Sequence, residues 1–224
     1  VSWTDEELGS VRKVSARGGN SRVLTSEPGY YRRPMFSPNG AQIVVEKSGS
    51  SGLTSQRWSE NPGIYLLPAR GGELSKVTSN GRDPHFGAAN ERIFITRTKN
   101  SSAIPGARNV GGEEHLVSVD LNGEAERTHA VSDRATRLLI SPTEEWLVFR
   151  ENYNVYLMPL PPSPAAVKVG VPERDSSDRK KAFPVQRMSK DGGEFPSWQH
   201  DDGLVWSMGA MLFSAQVPLQ SEAI

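Results

Sequence analysis

The sequence predicts an all-β protein, a β-propeller of four-stranded blades, on three observations. A β-turn tetrad or its degenerate form recurs four times, each time before a short apolar strand. Turn residues divide each copy into four short apolar runs. Glycine or Asn-Gly pairs close the later turn of several copies at one shared position.

The recurring turns read Phe36-Ser-Pro-Asn-Gly40 before Ile43-Val-Val-Glu46, Phe86-Gly-Ala-Ala-Asn90 before Ile93-Phe-Ile-Thr96, Ile140-Ser-Pro-Thr143 before Trp146-Leu-Val-Phe149, and Trp198-Gln-His-Asp-Asp-Gly203 before Leu204-Val-Trp-Ser207. Their strands start at residues 43, 93, 146 and 204, so the separations are 50, 53 and 58. A propeller blade needs roughly 40–45 residues, so each copy carries an insertion.

In the best-preserved copy, strands a to d are Arg33–Phe36, Gln42–Glu46, Gly63–Leu67 and Ser75–Thr78. Pro38-Asn39-Gly40 turns a into b, because proline presets φ and Asn-Gly tolerates positive φ. Gly18-Gly19, Gly71-Gly72 and Asn122-Gly123 turn c into d in the same way. Phe36, Phe86, Ile140 and Trp198 hold one repeat position and are expected to pack blade against blade.

Counted outward, Val1–Trp3, Val11–Val14 and Arg22–Thr25 read as strands b, c and d of a partial blade over residues 1–27. Complete blades follow at about 28–80, 81–131 and 132–190, and a partial one with strands a to c at 191–224. This makes one propeller domain with an incomplete ring, three full blades and two partial ones. Either the chain is a fragment of a longer protein, or its unpaired outer strands pair with another copy.

Twenty-six Lys and Arg balance 26 Asp and Glu, so no global field draws in nucleic acid or anionic lipid. No apolar stretch approaches the roughly 20 residues that span a bilayer. The absence of cysteine removes disulfides and thiolate chemistry and leaves the compartment open between cytoplasm and an oxidising space.

Insertions at Lys47–Pro62 and Thr98–Gly112 lie between strands b and c and are expected on one face of the disc. A third, Pro159–Pro184, lies between c and d. It starts proline-rich and continues through the charged run Glu173–Lys181, which reads as a mobile projection. Arg150-Glu151-Asn152-Tyr153-Asn154 joins b to c without an insertion. Arg150, Glu151, Asn152 and Tyr153 are therefore the candidate binding residues, set against a solvated turn whose Asn residues take left-handed backbone.

Other reactive groups read as structural. His85, His115, His129 and His200 form no metal-ligand pair and sit beside turns or strand ends. Asp201-Asp202 and Glu144-Glu145 occupy hairpin positions. Ser37, Ser141 and Ser197 recur near one repeat position, as hydroxyls that stabilise a hairpin would. Gly18-Gly19 and Gly71-Gly72 lead into strands and lack the helix terminus that cradles phosphate. No catalytic residue, metal ligand or cofactor site is expected, and the a strands offer no convergent His, Asp or Arg.

The run Pro34-x-Phe-Ser-Pro-Asn-Gly40 with Ile64-Tyr-Leu-Leu67, Gly71-Gly72 and Lys76-Val-Thr78 resembles the TolB-type propeller repeat. Asp83-Pro-His-Phe86, Trp146–Tyr156 and Val185–Gly209 resemble the propeller that precedes the hydrolase domain of bacterial amidohydrolases. The resemblance spans about Val11 to Phe213 and implies a six-bladed propeller, often exported to the periplasm or secreted, beside a metal-dependent catalytic domain. No position here matches that domain's metal ligands. The expected function is a non-catalytic scaffold and protein-interaction domain with a protein partner or fused catalytic domain. Two alternatives stand: the gating propeller of a prolyl-oligopeptidase-like serine peptidase, and a propeller with its own lyase or hydrolase site.

Overall fold

Three of the b strands, at residues 43–45, 93–95 and 147–149, place three consecutive apolar residues in the interior, and a thin sheet can do this only if both of its faces are covered. The computed structural model describes residues 9–49, 61–100, 112–172, 183–199 and 202–217. All its described regular elements are strands, and the fold is the all-β, TolB-like propeller type. Val1–Trp3, most of both b–c insertions, the charged run from Glu173, His200 and Asp201 lie outside the described residues.

The chain divides into two compact units, residues 1–97 with 117–127 and residues 98–116 with 128–224. In the first, β1 (Arg12–Lys13) pairs with β2 (Arg22–Val23). Strands β3 (Tyr30–Phe36), β4 (Gln42–Ser48), β5 (Gly63–Pro68) and β6 (Ser75–Thr78) form a four-stranded antiparallel meander in that order. Strands β7 (Arg82–Phe86), β8 (Arg92–Asn100), β9 (Gly112–Asp120) and β10 (Arg127–Ser132) form the next meander, along which the division falls.

The second unit holds β11 (Arg137–Ile140), β12 (Trp146–Glu151), β13 (Asn154–Pro159) and β15 (Gln186–Arg187) as one sheet. Strands β16 (Glu194–Trp198), β17 (Gly203–Met208) and β18 (Met211–Gln216) form a three-stranded sheet with β18 at its edge. The strand assignments a to d expected for these segments are those observed.

The two faces of the β3–β6 sheet feed different cores. Val44, Ile64 and Leu66 pack with Phe86, Ile93 and Ile95, whereas Ile43, Val45, Tyr65 and Leu67 pack with Val11, Leu24 and Tyr31. Successive residues of β4 thus alternate between cores, as the period of two requires. In the second unit, Val148, Val155 and Leu157 meet Leu204, Trp206 and Val217.

Two expectations need correction. Phe36 is 38% exposed and does not seal a core, although its repeat equivalents Phe86 and Ile140 are buried. The c–d insertion is not only a projection: β14 (Val167–Lys168) pairs in parallel with β10 as a fifth strand of the second meander's sheet. Val167 and Val169 are buried while Lys168 faces out, so Val-Lys-Val is a short alternating strand within a proline-rich stretch.

Three a strands share a kink. Register shifts fall between Arg32 and Met35, Arg82 and His85, and Glu194 and Ser197, and each spans a proline, at 34, 84 and 196. Proline has no N–H for the ladder, so pairing skips there as a bulge. The residue before each proline is left-handed, with φ of 51° at Arg33, 55° at Asp83 and 51° at Phe195. In β11 Leu138 replaces the proline and pairing with β12 runs without a shift.

On the other face of the first meander, Lys47 Nζ lies 6.0 Å from the Tyr31 ring centroid and 5.8 Å from that of Tyr65. The Tyr31 hydroxyl donates to the Glu27 carbonyl at 3.0 Å. Burial, then the Glu27 carboxylate and Tyr65, pushes the Tyr31 phenol up to about 12. Between about pH 10 and pH 12 the unfolded chain therefore loses this proton while the folded chain keeps it, and stability falls as pH rises. Chemical denaturation at pH 9 to 12 is expected to show this fall, and Tyr31→Phe is expected to flatten it.

Candidate functional site

The turn Asn152-Tyr153 closes β12 onto β13 as a two-residue hairpin, since Glu151 faces Asn154 across the ladder. Both turn residues are left-handed, with φ of 46° and 65°, the pattern of a type I′ turn. Asparagine suits the first place. The second favours glycine, yet Tyr153 holds it and is 77% exposed. The left-handed residues expected here were the asparagines; the pair observed is Asn152 and Tyr153, while Asn154 belongs to β13.

Arg150 lies beneath this tip. Its guanidinium carbon is 5.6 Å from the Tyr153 ring centroid, its Nε donates to Gly193 O at 3.1 Å, and its Nη2 reaches Glu194 Oε1 at 3.3 Å. Stacking and two bonds hold Arg150 against the start of β16, so it positions Tyr153 and the Gly193–Glu194 segment.

Glu151 departs from the expected solvated turn. It is 1% exposed, accepts Val171 N–H on Oε2 at 2.9 Å, and has Arg134 Nε 3.4 Å from Oε1. Arg134 Nη2 also donates to Val171 O at 2.8 Å. With Val169 N–H donating to Val131 O at 2.8 Å, this clamp holds the β14 segment on β10. Of the four sequence candidates, Arg150 and Tyr153 come together, Asn152 makes the turn, and Glu151 anchors the strap.

A second polar cluster, in the first unit, was missed. Asp83, 3% exposed, is paired through Oδ1 with Arg33 Nη1 and through Oδ2 with Arg82 Nη1, the latter at 3.0 Å. Arg33 Nη1 also lies 3.5 Å from Glu46 Oε2, which accepts Asp83 N–H at 3.4 Å. His85 Nδ1 is 2.8 Å from Asp83 O, and its ring stacks on Phe94. The a strands β3 and β7 thus do bring Arg, Asp and His together, against expectation. The legible signal was an ionisable residue directly before proline at one repeat position, Arg33 and Asp83.

The remaining candidates are placed as follows. His85 and His115 are buried rather than at the surface, and His115 Nε2 sits 2.5 Å from Glu113 Oε2. Ser37 and Ser141 hydroxyls accept Gln42 and Trp146 N–H at 3.0 and 3.2 Å, which closes the a–b turns. Asp202 accepts Thr143 Oγ1–H at 2.7 Å and is a buried turn residue. Among the described residues, no three His, Asp or Glu side chains form a metal-binding group.

Two substitutions separate these roles. Glu151→Ala is expected to cost about 2 kcal/mol, because Arg134 and Val171 N–H lose their acceptor. Tyr153→Gly is expected to gain up to ~1 kcal/mol by relieving left-handed strain. Urea unfolding measures both.

No family model and no curated protein matches this chain. Solved structures do. TolB from Acinetobacter baumannii is 15% identical with a TM-score of 0.56, over 91% of this chain and 44% of that one. A putative TolB from Agrobacterium tumefaciens is 15% identical with a TM-score of 0.51, over 88% and 62%. A gluconolactonase from Xanthomonas campestris is 12% identical with a TM-score of 0.57, over 97% and 68%. This chain spans less than two thirds of either TolB structure, and at these identities what it shares with all three is the fold, that of a TolB-like β-propeller.

Proposed function

We propose that this chain is a non-catalytic TolB-like propeller acting as a scaffold and protein-interaction domain, in the N-terminal part of an exported, amidohydrolase-related protein. The reading rests first on the edge strand β18. Among the described residues it pairs only with β17. Its sequence Met-Leu-Phe-Ser-Ala-Gln carries no charge and no proline, and Leu212 is 75% exposed. Natural edge strands are blunted by charge, proline or a bulge; Met211–Ala215 carry none of these, which suits strand addition. For the chain alone, the strand available is β18 of a second copy. In the parent protein the same edge would take a strand of the neighbouring domain.

The candidate site supports the non-catalytic part of the reading. Arg150, Glu151 and Asp83 are committed to ion pairs and backbone groups. No serine, histidine and carboxylate converge as a nucleophile with its base among the described contacts.

Light scattering of the purified chain over a range of concentrations is expected to show reversible self-association, which Leu212→Lys weakens at least tenfold. A chain that stays monomeric at every concentration would contradict the edge-pairing reading. Amide hydrolysis with added zinc that rises well above blank would contradict the non-catalytic one.

A further inference from the structure

We propose that Arg33 is the recognition fork of a carboxylate-binding site in the first unit, independent of the interaction edge. Arg33 stands in a left-handed backbone conformation, φ 51°, immediately before Pro34. The β3 bulge brings its guanidinium to Asp83 and Glu46. Both of these contacts use one nitrogen, Nη1. Among the described residues, the other edge of the fork, Nε with Nη2, makes no protein bond, and the side chain is 38% exposed.

A guanidinium tethered at one nitrogen and open along the Nε–Nη2 edge presents two parallel N–H donors. That spacing matches the two oxygens of a carboxylate. Fixing the fork beforehand removes the side-chain entropy that a free surface arginine would lose on binding. Asp83 is itself fixed, because Arg82, Glu46 and His85 each bond a different part of it. Left-handed non-glycine residues cost energy and persist where their surroundings over-determine them, and here two such residues, Arg33 and Asp83, face each other.

Charge narrows the ligand class. Arg33 and Arg82 balance Asp83 and Glu46, so the cluster is formally neutral. A single carboxylate meets one open fork at a cluster with no net positive charge, which disfavours polyanions. The ligand is therefore a free carboxylate, either of a small organic acid or of a peptide C-terminus.

The test follows the Arg Nε–H resonances of 15N-labelled chain during titration, with Arg33→Lys used to assign the Arg33 signal. Sodium acetate at constant ionic strength is expected to shift that signal saturably, with a dissociation constant of ~1–10 mM. Acetamide and sodium chloride are expected to leave it in place. A short peptide that binds at least tenfold tighter than acetate would identify a C-terminus as the source, and equal affinity would identify a small acid. Glu46→Gln removes a negative charge beside the fork and is expected to tighten acetate several-fold in a chain that keeps Arg33. The proposal is overturned if acetate causes no saturable shift beyond chloride, or if Glu46→Gln leaves the affinity unchanged. Neither outcome bears on self-association through β18.

Discussion

Burial of both faces of each thin sheet is the constraint on which the rest depends. Ile43, Val44 and Val45 are consecutive and fully buried, as are Ile93 and Ile95 around Phe94, and Leu147, Val148 and Phe149. Since neighbouring residues point to opposite faces, no single core could hold them. Each such sheet needs cover on both sides, and in the first unit β1–β2 with Tyr31 and the β7–β9 strands provide it for the two faces of β3–β6. That is why the repeat extends across the chain and why its units resemble one another more in apolar pattern than in sequence.

Once both faces are buried, the remaining problem is polar. A buried sheet must satisfy the backbone groups of its outer strand and of any residue where the ladder breaks. The molecule solves this with side chains from outside the repeat pattern. The β10 edge gains β14 from the next copy's insertion, and Glu151 with Arg134 clamps the segment that leaves it. Bulges at the a-strand prolines put Arg33 and Asp83 face to face, where Glu46 accepts the Asp83 N–H. At β18 no described segment performs this service.

The fold was legible because turns and apolar strands obey local rules. Pro38-Asn39-Gly40 and the consecutive Ile43-Val44-Val45 of β4 declare themselves within a few residues. The strap was not legible, because Val167-Lys-Val169 is too short to stand out among prolines and its partner β10 lies more than thirty residues earlier. The site was half legible. The absence of an insertion at Arg150–Asn154 pointed to the tight turn that is observed, whereas the seat of Arg150 under Tyr153 and against Gly193 is set by β16, more than forty residues later. Glu151, however, looks solvated in sequence and is buried only because Arg134 and Val171 reach it from distant positions. Arg33 and Asp83 were hidden for a related reason: strand alternation would turn them away from each other, and only the proline bulge redirects them.

The double-faced sheet is tested most directly at two adjacent residues. Ile43 and Val44 belong to different cores, so Ile43→Ala and Val44→Ala are each expected to lower unfolding free energy by ~2 kcal/mol or more, with losses that add in the double variant. Urea titration of the three variants measures this. A near-neutral effect at either residue would mean that one face of the sheet meets solvent, and the stacked-meander account would fail.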